Sequence, residues 1–89
     1  MEYEWDERKR LRNLAKHGID FAEVVQFDWE KAVRFVDDRK PYGEPRWLAL
    51  GNIGNRVHAL IYTTRSARVR VISLRKANNK ETARYEQAL

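Results

Sequence analysis

"RWLALGNIGNRVHALIYTTRSARVRVISLR", residues 46–75, is the stretch whose reading decides the fold. Its aliphatic, β-branched and aromatic residues are those a pleated, half-buried surface favours, and Gly54-Asn55 marks a two-residue hairpin turn. A second short turn, "RSA" at 65–67, leads into "RVRVISLR", so three strands follow one another. Upstream, "KAVRFV" (31–36) alternates as a further strand. After it, "DDRKPYGEPR" (37–46) holds both prolines, a glycine and six charges, the composition of a turn or long hairpin loop. The expectation is an antiparallel meander of about four strands.

Helices flank the meander in this reading. "DERKRLRNLAKHG" has Asp6 as a cap, Leu11, Leu14 and Ala15 on one face, and Gly18 suited to a left-handed exit. "IDFAEVVQF" opens with Asp20 and Glu23 at capping-box spacing and predicts a second, short helix ending near Phe27, its Phe21, Val24 and Val25 laid against a sheet. "NNKETARYEQAL" repeats the spacing at Asn78 and Glu81 and closes the chain as a helix. "MEYEW" is a candidate for a short extra edge strand. The fold expected is therefore α+β: two N-terminal helices, an antiparallel sheet of about four strands and a C-terminal helix, with the helices segregated on one sheet face and the other free for a partner. Residues 1–89 read as a single domain with no repeat or low-complexity tract.

With 43% hydrophobic residues the chain is too apolar to be disordered. It contains no cysteine, which excludes a disulfide framework and a Cys-based zinc site. No apolar run is long enough for a signal peptide or a transmembrane helix, and the expected location is cytoplasmic, with no membrane partner. The net charge of +5 favours an anionic partner: nucleic acid, an acidic protein or an anionic surface.

No Ser-His-Asp order, P-loop or dinucleotide fingerprint is present, so the chemistry left is electrostatic. Guanidinium groups are planar, permanently charged forks suited to phosphate. Arg46, Arg65, Arg70 and Arg75 would converge on neighbouring strands of the meander, and no acidic residue lies between Arg65 and Lys76 to neutralise them. Strict alternation puts Arg70 and Arg75 on opposite faces unless a bulge or strong twist reunites them. On the first helix Arg8, Arg12 and Lys16 form a basic stripe, and His17 falls in the last turn, where the helix dipole favours an imidazolium. His58, with Leu60 and Tyr62 on its face, is open to three readings: packed, partner-facing or proton-transferring. Trp5, Trp29 and Trp47 read as core anchors, with base stacking as the alternative. Neither histidine spacing makes a metal site, and no cofactor is implied.

The aromatic-x-W-D start (Tyr3 to Asp6), N-x-x-K-H-G (Asn13 to Gly18), Phe21, Glu23 and Asp28, E-x-R at Glu44 and Arg46, Gly51, R-x-I-S-x-R (Arg70 to Arg75), and Glu81 with Tyr85 run nearly end to end. In order and spacing they resemble the BrnT family of bacterial toxins. The resemblance implies a RelE-like, metal-independent endoribonuclease of a type II toxin-antitoxin module that inhibits translation by cutting RNA, with ribosome-associated mRNA as a candidate substrate. It further implies a BrnA-like ribbon-helix-helix antitoxin in a heterotetramer, with operator DNA met through that complex. On this reading Arg70 and Arg75 clamp the scissile phosphate, Arg46 and Arg65 assist, and Glu44 or His58 handles protons. His17 and Tyr85 are second-rank candidates, and Lys16, Arg68 and Lys76 are RNA contacts. The readings that compete are a non-catalytic RNA- or DNA-binding module and an inactive toxin that binds an antitoxin.

Overall fold

In the computed structural model, which describes residues 1–89, the elements run β1 (Glu2–Trp5), α1 (Glu7–His17), a 3₁₀ segment (Phe21–Gln26), β2 (Val33–Val36), β3 (Trp47–Ile53), β4 (Arg56–Arg65), β5 (Arg68–Lys76) and α2 (Asn79–Gln87). The sheet order is β1-β5-β4-β3-β2. Strands β2 to β5 form the antiparallel meander, with Gly54 (φ 63°) first in the tight turn between β3 and β4. The turn between β4 and β5 has an unusual composition. Ser66 (φ 49°) and Ala67 (φ 64°) both sit in the left-handed region, where a Cβ crowds the following carbonyl.

The four-stranded antiparallel sheet expected from the sequence is corrected to a mixed sheet of five. β1 pairs parallel to β5, Glu2 to Trp5 lying beside Arg68 to Val71. Its alternation explains why it joins: Tyr3 and Trp5 pack against the main core, while Glu2 and Glu4 reach Arg68 and Arg70 on the other side. The second N-terminal helix is likewise corrected to a six-residue 3₁₀ segment. Phe21, Val24 and Phe27, three residues apart, are all buried, and a three-residue turn aligns them where an α-helix would fan them apart. Both capping boxes form, at Asp20/Glu23 and at Asn78/Glu81.

The helices are not confined to one face. The first face of the sheet carries Ala49, Ile53, Leu60, Tyr62, Val69, Val71 and Leu74, packed with Ile19, Phe21, Val24 and Phe27. All three tryptophans make ring contacts there: Trp5 with Phe21, Trp29 with Phe27 and Tyr62, and Trp47 with Tyr62. Gly51 is required, because a Cβ on it would lie 2.7 Å from Phe27 Cζ. On the second face Leu50, Val57, Ala59 and Ala77 pack with Tyr85 of α2.

Helix α1 starts at Asp6, whose side chain accepts from the Lys9 N–H, and stops at Gly18 (φ 71°). Its apolar side faces solvent, however: Leu11 is 52% exposed and Leu14 38%. The buried residue is Asn13. β1 covers the outer edge of β5 only as far as Val71; beyond it, Asn13 substitutes for a neighbouring strand. Its Nδ2 donates to the Leu74 carbonyl (2.7 Å) and to the Ile19 carbonyl (3.0 Å), while its Oδ1 accepts from the Leu74 N–H (3.2 Å). α1 thus packs over a strand edge, where hydrogen bonds matter more than apolar area.

Candidate active site

The β4–β5 register slips once. Ile61 opposes Ser73 and Tyr62 opposes Val71, leaving Ile72 as the extra residue of a bulge. Across it the parity of side chains inverts. Arg68, Arg70, Ser73 and Arg75 therefore all share the second face with Ala59, Ile61, Thr63 and Arg65. The five-residue spacing that set Arg70 against Arg75 is resolved by one inserted residue.

A shared face does not make one site, because each arginine is held by a different carboxylate. Arg70 donates to Glu4 (2.6 Å) and Arg68 to Glu2 (3.1 Å), at the β1 end. Arg65 and Arg46 meet Glu44 at 3.2 and 3.7 Å, Arg46 lying over the Tyr42 ring with its Nε buried and without a hydrogen-bond partner. Arg75, near the other end of β5, grips Glu81 with two bonds of 2.7 and 2.9 Å. The four predicted arginines fall into three clusters.

Arg75 lies in the largest hollow, about 610 Å³, between α2, the second sheet face and the loop after β2. Val36, Phe35, Leu48 and Ile61 supply its apolar wall, and besides Arg75 its charges are Arg34, Arg39, Arg84, Asp37, Asp38 and Glu81. Arg39 makes two bonds to Asp37 (2.7 and 3.0 Å), and the Arg84 guanidinium covers the Phe35 ring at 3.7 Å. The hydrogen bonds from Arg75 hold the Glu81 carboxyl below its ordinary range, with burial opposing, and Arg39 does the same to Asp37. Both carboxylates are ionised at neutral pH.

A second hollow of about 570 Å³ adjoins the first, lined by Lys9, Arg12, Asn13, Lys16, His17, Lys40, Ile72 and Ser73. His17 sits in its wall; burial, then the charges of Lys16 and Arg75, push its imidazole below the ordinary range and favour the neutral ring.

His58, Tyr85 and Glu44 are not in either hollow. His58 is 5% exposed, its Nδ1 2.8 Å from the Arg56 carbonyl; a carbonyl only accepts, so Nδ1 carries the proton and is occupied. The Tyr85 ring is in the core with its hydroxyl near Asn52 Nδ2 (3.4 Å). Lys76 pairs with His58 across the strands and falls on the face opposite Arg75.

Residues 5–81 match the family model described as ribonuclease toxin, BrnT, of type II toxin-antitoxin system. The chain belongs to the BrnT family. Among solved structures it is similar to the 1.1 Å crystal structure of the Brucella abortus ribonuclease toxin BrnT, at 36% identity over 89% of this chain and 99% of that one, with a TM-score of 0.65. No curated protein sequence matches. Membership of the BrnT family makes the chain a ribonuclease toxin of a type II toxin-antitoxin system, with RNA as substrate and an antitoxin as partner. No helix is long and apolar enough to cross a membrane.

Within this BrnT chain, sequence reasoning missed Arg39, Arg84 and Glu81 as members of the Arg75 hollow. Glu81 was visible as one of the positions that carry the family resemblance, with no role attached, and as the third residue of a capping box, which it also is, accepting from the Asn78 N–H at 3.0 Å. Six residues separate it from Arg75, and the tight exit from β5 into α2 brings them together. Arg39 carried no signal, since a loop rich in Pro, Gly and charge gives no period to orient a side chain.

Proposed function

We propose that the chain cuts RNA without a metal ion at the Arg75 hollow, and that this cleavage inhibits translation until a BrnA-like ribbon-helix-helix antitoxin covers the toxin. The observation that carries the site is the convergence of Arg39, Arg75 and Arg84 in one hollow beside His17, with Glu81 holding the Arg75 fork in position. The antitoxin type rests on the family resemblance alone.

In this reading the RNA 2′-hydroxyl attacks the adjacent phosphorus. The neutral His17 imidazole takes the hydroxyl proton as the new O–P bond forms. Negative charge grows on the two non-bridging phosphate oxygens, and Arg75 meets it with its remaining donors, since of about five two go to Glu81 and one to the Lys76 carbonyl. Arg39 and Arg84 lie beside the same oxygens. The bond from phosphorus to the 5′-oxygen breaks, that oxygen takes a proton from solvent, and the products are a 2′,3′-cyclic phosphate and a 5′-hydroxyl. Glu81 is a positioning residue, and Arg70 is structural in its pair with Glu4.

The test is RNA incubated with purified protein in excess chelator, alongside the same RNA carrying a 2′-O-methyl group at the cut position. Cyclic-phosphate ends from the first and no cut in the second are expected. Cleavage that disappears in chelator and returns with magnesium would overturn the metal-free step.

A further inference from the structure

We propose that the hollow between α1, the Ile72 bulge and Lys40 is a separate anion-binding site, which takes a backbone phosphate of the RNA strand next to the one being cut. The inference rests on the reading that RNA is cut at the Arg75 hollow, and it adds where the rest of the strand lies.

The charge of this hollow is uncompensated. Lys9, Arg12, Lys16 and Lys40 line it with His17, and no carboxylate does. None of these four cations makes a salt bridge, in contrast with Arg39, Arg46, Arg65, Arg68, Arg70 and Arg75, each of which does. The two neutral polar groups in the lining are committed within the protein: Asn13 to the backbone of Leu74 and Ile19, and the Ser73 hydroxyl to Asn13 Oδ1 at 3.4 Å. Cations brought together with no internal acceptor repel one another, and an anion relieves that repulsion.

Position relates the hollow to the cleavage site. Ser73 lines one hollow and Arg75 the other, two residues apart on the same face of β5, which is about 6.7 Å along a strand. Arg39 and Lys40, adjacent in the loop, likewise divide between the two. The two linings have no residue in common but continue along the same strand and the same loop, and an extended RNA strand running from Arg75 to Ser73 passes from one hollow to the other. The bulge has a second consequence here: Ile72, displaced from the ladder, forms part of the floor. Phosphate is favoured over a peptide carboxylate because the lining holds four cations and no carboxylate, with one hydrophobic residue among eight and so little apolar anchor for a protein side chain.

Arg12 and Lys40 are exposed, so Arg12→Gln with Lys40→Gln tests the site without touching the core. Two quantities are measured: fluorescence anisotropy of a 2′-O-methyl oligonucleotide across a salt series, and cleavage of a dinucleotide substrate. The double variant is expected to bind the oligonucleotide about tenfold more weakly, with a slope of log affinity against log salt shallower by roughly 0.7 for the one phosphate left without its cations. Dinucleotide cleavage should match the parent, because a substrate with one phosphate meets His17 at the edge of the second hollow but has no second phosphate for Arg12 and Lys40 to hold. Unchanged oligonucleotide affinity and slope would overturn the proposal. So would unchanged RNA binding with weakened antitoxin binding, which would assign the hollow to the protein partner. Failure of the parent to cut either substrate would instead contradict the cleavage reading, and the anisotropy would still decide whether the hollow binds RNA.

Discussion

His17 illustrates how a residue's surroundings define its chemistry. An imidazole in the last turn of a helix is ordinarily favoured as a cation, yet here burial and the Lys16 and Arg75 charges outweigh the dipole and depress its pKa from 6.5. Because the depressed group acts as a base when neutral, its contribution is present above its pKa and lost as pH falls through it. The rate of cleavage should therefore decline on the acid side of a midpoint below 6.5. Lys16→Gln, which removes one of the depressing charges, should move that midpoint upward, and His17→Gln should abolish the limb along with most activity; a pH–rate profile reads all three. The sequence pattern did single out K-H-G, but the leading cause of the shift, burial, and the added charge of Arg75, 58 positions away along the chain (75 − 17), arise only in the fold.

At Ala67 a different residue-scale effect operates. With φ at 64° its Cβ is crowded, and Ala67→Gly should stabilise the protein by about 1 kcal/mol. For a chain of this size that raises Tm by roughly 4–8 °C, measurable by calorimetry. The turn was legible in the sequence as a break between two strands, whereas its left-handed geometry was not, since Ser-Ala carries none of the Gly or Asn signal such a turn normally shows.

Among the elements, α1 was legible in its ends and misleading in its faces. Asp6 and Gly18 bound it as their chemistry dictates, but Leu11 and Leu14 do not face the sheet. A helix lying over a sheet face buries apolar residues, while one lying along a strand edge must supply donors and acceptors, and Asn13 does that. Asn13→Ala should cost about 2 kcal/mol, because the Leu74 N–H and C=O lose their partner while still buried. Leu11→Gln should cost within ~0.5 kcal/mol as a surface change. Urea unfolding midpoints compare them; equal losses would contradict the edge role. The bulge at Ile72 was equally hidden. Its possibility followed from the Arg70–Arg75 spacing, but nothing in "RVRVISLR" marks which residue is inserted, because Val, Ile and Leu are all good strand residues.

For the whole molecule, the meander could be read because neighbouring strands are joined by short turns, and local sequence carries that information. The edge strand at "MEYEW" was legible as a candidate, but its parallel pairing was not, since Glu2 lies beside Arg68 across almost the full chain. With β1 went the partner of Arg70, and so the separation of Arg70, paired with Glu4, from Arg75, paired with Glu81 in the hollow. Charge also ties the site to stability. Glu81, depressed by Arg75, contributes stability that is full above its ordinary value of 4.5 and is lost as pH falls through the lowered folded value. Glu81→Gln should flatten the acid side of the stability–pH curve measured by denaturant unfolding.

The claim at the centre of this account is that Arg75, and not Arg70, acts on the scissile phosphate. Cleavage of one RNA substrate by Arg75→Ala and Arg70→Ala variants, each shown folded by circular dichroism, measures it directly. Loss of roughly 100-fold in rate for Arg75→Ala, the scale of one removed transition-state donor, is predicted, with Arg70→Ala close to the parent. A folded Arg75→Ala protein that cuts as well as the parent would contradict the account.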